Sequence, residues 1–163
     1  MSDYSTLGGL NAAEPAAAEH DLLACCASRR WADEVLARRP YPDLATLRSV
    51  SELTLRELDW ADVEQALAAH PRIGDRAAGA SKEAGWSRAE QAGATASDEL
   101  TRGNLAYEER FGHVFLICAT GLTGAEMLGA LRARLGNDPV AERDVVREEL
   151  RKIVDLRLGK AFS

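Results

Sequence analysis

Two short runs hold the residues best suited to acid–base chemistry, His70-Pro71-Arg72-Ile73-Gly74 and Ser87-Arg88-Ala89-Glu90-Gln91. A helical pattern from Trp60 leads up to His70, and Pro71 disfavours the α conformation in the residue before it. The spacing therefore predicts an imidazole at the C-terminal end of a helix, where the negative end of the dipole favours the protonated ring. After a stretch of Gly, Ala and charge, Ser87 with Glu90 three residues on has the spacing of an N-terminal capping box. One helix is thus expected to end in a titratable base and the next to begin with a carboxylate and an amide. Gln91 is not needed for a cap, and its carboxamide can both donate and accept. Arg157 stands between Leu156 and Leu158 near the chain end. Its guanidinium is a planar bidentate donor.

Each of these residues also has an ordinary structural reading. His70 can be a helix C-cap satisfied by local carbonyls, and spacing alone favours that. Ser87 and Glu90 can be a cap worth on the order of 1 kcal/mol. Arg157 can be one more charge on a solvated face that also carries Arg147, Arg151 and Lys152.

Other chemistries find less support. The histidines are His20, His70 and His113, with no His-Glu-x-x-His pattern and no cysteine pair at ligand spacing, so no metal site is expected. There is no Gly-x-Ser-x-Gly elbow and no Gly-rich phosphate loop. Of the three cysteines, Cys25 and Cys26 are neighbours on an expected helix and Cys118 lies in an apolar run. That is no disulfide framework and fits a reducing cytoplasm. A net charge of -6 without a basic stripe argues against a nucleic-acid partner. The start of the chain does not read as a signal peptide, and no apolar run approaches a membrane span.

The elements that must position these residues read as helices throughout. Residues 1–9 are expected to be loose. Asn11, with Glu14 and Pro15, reads as the cap of a first helix carrying Leu22, Leu23 and Cys26. Ser28 caps a second with Trp31, Val35 and Leu36; Pro40 and Pro42 end it. Asp43 begins a third, and Asp59 caps the helix that delivers His70, with Trp60, Val63 and Leu67 on its buried face. Residues 71–86 are the least regular interior stretch, of a length usually functional or mobile. Helix is expected from Arg88 to about Phe111, with breaks possible at Gly93 or Ser97. Val114–Ala119 is apolar throughout; a strand fits its composition, but no partner strand exists, so it reads as buried irregular or helical backbone. Thr123 with Glu126 is another capping box, and Gly136-Asn137 reads as a left-handed stop. Asp138-Pro139 starts the last helix. The fold class is all-α, one compact domain over 1–163 with roughly seven or eight helices.

The ordered set His70-Pro71-Arg72-Ile73-Gly74, Ser87-x-x-Glu90-Gln91, Asn104-x-x-Tyr107-x-x-x-Phe111-Gly112, Phe115-Leu116-Ile117-Cys118 and Glu149-x-x-x-Ile153-x-x-Leu156-Arg157-Leu158 resembles the OHCU decarboxylase family. OHCU is 2-oxo-4-hydroxy-4-carboxy-5-ureidoimidazoline, an unstable intermediate between urate and allantoin. The likeness covers nearly the whole chain in the right order. It implies cofactor-independent decarboxylation of this ureidoimidazoline to (S)-allantoin. It puts His70 on the catalytic histidine and implicates Glu90 in catalysis. It assigns substrate binding to Pro71, Ser87, Gln91, the backbone of Phe115, Leu116, Ile117, Cys118 and Ala119, and Arg157. Asn104, Tyr107 and Phe111 read as structural. A homodimer is also implied, with Leu122 and Met127 as apolar residues that can face a partner.

Two departures stand out. The segment between Gln91 and Asn104 is shorter than in longer family members. Leu122 stands where the family commonly has a cation. The rival readings are a helical interaction module without catalysis and a hydrolase of a cyclic ureide in the same pathway.

Overall fold

The computed structural model describes residues 6–74, 82–91 and 98–163, and among them it has nine α-helices and no strand. The all-α expectation holds. The chain falls into two compact units, one of 1–66 with 151–163 and one of 67–150.

The first unit holds α1 (Leu7–Ala12), α2 (Pro15–Cys25), α3 (Arg29–Ala37), α4 (Leu44–Glu57), most of α5 (Trp60–Leu67) and the last turns of α9 (Pro139–Phe162). The cap signals explain most of the starts. Ser28 Oγ accepts from the Trp31 N–H at 3.2 Å and Asp43 Oδ1 from the Thr46 N–H at 2.7 Å. The Asp59 carbonyl accepts from Asp62 and Val63 and opens α5. The core is made by Leu10, Leu22, Trp31, Val35, Leu47, Leu158 and Phe162, all nearly or fully buried. Burying side chains of this size stabilises by about 1.5–3 kcal/mol each. The indole N–H of Trp31 finds the Ser51 hydroxyl at 3.0 Å, which ties α3 to α4 without leaving a buried donor unmet.

Two expectations for this unit are corrected. Residues 1–5 lie outside the described residues, but Leu7 onward is helix, because Thr6 caps it through the Gly9 N–H at 3.0 Å. Asn11 is therefore inside α1 and caps nothing. Its side chain instead accepts the Tyr41 N–H at 2.8 Å and donates to the Tyr41 carbonyl at 2.9 Å. Pro15 does take the first position of α2, with Glu14 before it.

The second unit holds α6 (Lys82–Glu90), α7 (Asp98–Phe111), α8 (Gly124–Arg134) and the first part of α9. Both arms of the Thr123/Glu126 capping box form, at 3.1 Å each. Helix α7 packs on α8, and Gly103 lets it approach: an added Cβ would lie 3.0 Å from a Leu131 methyl. Ile73, Leu100, Tyr107, Phe115, Ile117, Ala119, Met127 and Leu131 form one apolar cluster. Met127 is fully buried in it, so it cannot face a partner as expected, and Leu122 packs partly buried against the same cluster. The stop of α8 is also corrected. Arg134 is its last residue, and neither Gly136 nor Asn137 takes a positive φ. Tight turns close the helix instead, from Gly136 N–H to the Ala133 carbonyl and from Asn137 N–H to that of Arg134. The possible breaks at Gly93 and Ser97 lie outside the described residues; α7 is described from Asp98.

Candidate active site

Helix α5 ends at Leu67, and the chain turns through His70, whose N–H bonds the Leu67 carbonyl at 3.0 Å. The half-buried imidazole thus sits just past the carbonyl end of a helix, three residues later than its last helical residue. The Pro71 to Gly74 turn that follows is held at three points. Arg72 makes a bidentate pair with Glu108 at 2.7 Å for each arm. The Asn104 amide donates to the Ile73 carbonyl at 2.8 Å, and the Gly74 N–H donates to Gln91 Oε1 at 3.0 Å. Gly74 has φ of 95°, and a Cβ there would lie 2.9 Å from a Leu100 methyl, so conformation and space both demand glycine.

Ser87, Glu90 and Gln91 are not at the start of a helix. Helix α6 begins at Lys82, so Ser87 and Glu90 occupy its last turn and Gln91 follows it. Ser-x-x-Glu spacing marks a capping box, but it also puts two side chains on one face of a helix already running. Here the second holds, and both residues are buried. The carboxylate and amide therefore stand at the far end of α6, joined to the His70 turn by the Gln91–Gly74 bond.

The Phe115–Ala119 segment is neither helix nor strand, and Phe115, Leu116, Ile117 and Ala119 are buried while Cys118 is half-buried. Its irregular backbone is held by side chains. Arg134 Nη1 donates to the Leu116 carbonyl at 2.7 Å, and the Cys118 N–H donates to Glu149 Oε1 at 3.1 Å. Arg134 also lies over the Phe115 ring at 4.6 Å and pairs with Glu142 at 2.6 Å. Glu142 is fully buried and further accepts from the Tyr107 hydroxyl at 2.5 Å and from Asn137 at 3.0 Å. Burial alone raises the Glu142 carboxyl, but the Arg134, Tyr107 and Asn137 donors outweigh it and hold the group below its ordinary value. The Tyr107 phenol is pushed up by burial and by its bond to Glu142.

Sequence reading missed this support. Arg134 and Glu142 lie on separate helices eight residues apart, a spacing with no local meaning. Asn104 and Tyr107, read as structural, bond the Ile73 carbonyl and the Glu142 carboxylate.

Arg157 belongs to the first unit, where it is 5% exposed, so it is not on a solvated face. The thiol of Cys26 in the same unit is pushed up to about 12 by burial, against a smaller opposing pull from Arg157. All three cysteines are unbridged. Among the described residues no three or more His, Cys, Asp or Glu side chains group to hold a metal ion. No described helix is long and apolar enough to cross a membrane.

Comparison with known proteins gives one family. The chain is 33% identical over 153 residues to the uric acid degradation bifunctional protein TTL of Arabidopsis thaliana, covering 89% of this chain and 47% of that protein. This chain thus spans about half the length of that relative. It is 35% identical over 131 residues to the 2-oxo-4-hydroxy-4-carboxy-5-ureidoimidazoline decarboxylase of Amia calva, covering 76% of this chain and 75% of that protein. A crystal structure of OHCU decarboxylase in the presence of (S)-allantoin superposes with a TM-score of 0.76 at 29% identity, covering 92% of this chain and 99% of that one. A crystal structure of (S)-allantoin synthase shares the fold, with a TM-score of 0.72 at 20% identity over 97% of this chain and 54% of that one. The OHCU decarboxylase family model matches residues 11–159, and the chain belongs to that family.

Proposed function

We propose that this chain decarboxylates 2-oxo-4-hydroxy-4-carboxy-5-ureidoimidazoline to (S)-allantoin in urate breakdown, without a cofactor. The observation that carries the reading is the Gln91–Gly74 bond, which joins the turn after His70 to the buried end of α6 with Ser87 and Glu90. Family membership and a similar solved structure, of OHCU decarboxylase in the presence of (S)-allantoin, support the substrate class.

The substrate carboxylate sits on a ring carbon that bears a hydroxyl, beside a C=N bond. As the carbon–carboxylate bond breaks, its electron pair passes into the C=N group and carbon dioxide leaves. The enol-like ring is then protonated on one face. The ring supplies its own electron sink, so acid–base groups and positioning are what the protein must add. His70 acts as general base and acid on the hydroxyl and ring protons, and Glu90 sets its orientation and charge. Ser87, Gln91, the Pro71 carbonyl and the backbone from Phe115 to Ala119 fix the ring and ureido groups. Arg157 is assigned to substrate oxygens on the family likeness, which its burial suits better than a solvated role. All 163 residues act as one family domain. It works as a homodimer in the cytoplasm, where three free thiols are in keeping.

His70→Asn tests the reading, because it keeps size and some hydrogen bonding while removing the titratable group. (S)-Allantoin formation from fresh substrate, followed by circular dichroism, should fall by roughly 10²–10⁴-fold with stability near normal. A folded variant that works at the wild-type rate removes His70 from the mechanism. Carbon dioxide release without simple ring hydrolysis separates decarboxylase from ureide hydrolase, and a wild-type chain that produces neither is an interaction module.

A further inference from the structure

We infer that Arg134 and Glu149 are positioning residues for the 115–119 backbone; the inference rests on the proposed role of that backbone in substrate binding. A segment outside helix and sheet has no ladder to fix its course, and its polar groups must be met some other way. Here two buried side chains from two helices meet it. Arg134, on α8 and 8% exposed, donates to the Leu116 carbonyl at 2.7 Å. Glu149, on α9 and 9% exposed, accepts the Cys118 N–H at 3.1 Å. The two anchors are two residues apart and bracket Ile117, so the direction of the peptide groups between them is set from both sides.

Arg134 is itself immobilised. Its Nε and Nη2 donate to Glu142 Oε2 at 2.9 and 2.6 Å, and its guanidinium lies on the Phe115 ring. Phe115 also meets the Tyr107 ring edge-on at 5.2 Å, and the Tyr107 hydroxyl closes the circuit on Glu142. The fork geometry of arginine is needed here, because one guanidinium serves a carboxylate and a carbonyl at once. Glu149 is also part of the family-like run at the chain end, yet it carries no role in the reaction as proposed.

Three variants test this. Glu149→Ala removes the acceptor for Cys118, while Glu149→Gln keeps a side-chain oxygen there. Arg134→Lys keeps the charge beside Glu142 but cannot hold both partners. Glu149→Ala and Arg134→Lys should each raise KM by about tenfold, with kcat within about threefold of wild type. Glu149→Gln should restore KM to within about twofold of wild type, a recovery that loss of overall stability would not produce. Hydrogen exchange at the Cys118 amide should accelerate by about tenfold in Glu149→Ala and not in Glu149→Gln. Folded Glu149→Ala and Arg134→Lys proteins with wild-type KM overturn the inference, as does a Glu149→Gln protein as impaired as Glu149→Ala. If the wild-type chain makes no (S)-allantoin, the proposed function fails instead. The exchange measurement then decides the positioning role alone, and an unchanged Cys118 rate rejects it.

Discussion

Gln91 Oε1 accepts the Gly74 backbone N–H at 3.0 Å, so a single carboxamide joins the end of α6 to the turn after His70. With the oxygen engaged, the amino group of the same carboxamide is the part that can serve a ligand. Gln91→Glu keeps the acceptor for Gly74 and loses the donor. Its KM should rise by about three- to tenfold, the scale of one hydrogen bond. Gln91→Leu loses both and should also unfold at lower urea. An unchanged KM in a folded Gln91→Glu protein would take the amide out of substrate binding.

Asn104 donates to the Ile73 carbonyl while its own Oδ1 is buried without a partner. Asn104→Asp would set a carboxylate against that carbonyl and should cost at least about 2 kcal/mol in urea unfolding. Asn104→Leu loses the bond but also removes the unmet oxygen, so it should cost less. Equal losses would show that the Ile73 carbonyl finds another donor.

Glu142 titrates below its ordinary value of 4.5 in the folded chain. A carboxyl with a depressed folded value contributes stability that is full above the unfolded value and is lost as pH falls through the folded one. Wild-type unfolding midpoints should therefore drop below pH 4.5. Glu142→Gln should be less stable at pH 7, because Arg134 loses its counter-ion, and should show a shallower acid slope. Parallel pH profiles for the two proteins would contradict this.

Asp155 behaves in the opposite sense. Burial and then the neighbouring Glu52 raise its carboxyl from 3.8 to about 6, against the opposing pull of Arg151 and Arg48. Its buried Oδ1 has no hydrogen-bond partner, and a proton on the Asp155 carboxyl would let it donate. The folded chain then holds this proton up to about pH 6 while the unfolded chain releases it near 3.8. Stability from this group is thus fully present below 3.8 and lost as pH rises to about 6. Asp155→Asn should be more stable than wild type at pH 7 by on the order of 1 kcal/mol, with the gain fading towards pH 4. A gain that persisted at acid pH would point to packing instead.

What could be read from sequence was local, and what could not was mostly long-range. Ser28, Asp43 and the Thr123/Glu126 pair act within three residues of themselves, and each cap forms where its spacing put it. The same rule failed at Asn11, whose partner is the Tyr41 backbone thirty residues away. It failed at Ser87 because the earlier start of α6, with Gly85 inside it, gave no helical signal strong enough to override a box-like pair. In the candidate site, the motif residues were legible through family likeness. The side chains that hold the irregular segment were not, since pairing of Arg134 with Glu142 and of Glu149 with Cys118 depends on how helices meet.

The left-handed turn at Gly74 bears on how mutational maps of this protein should be read. In a saturation library selected for activity, position 74 will tolerate glycine alone and will look as intolerant as position 70. Yet a side chain at 74 fails by striking Leu100 and by straining its own backbone, before any substrate arrives. Scoring the same library for protein abundance separates the two: Gly74 variants vanish from both maps, whereas His70 variants vanish from the activity map alone.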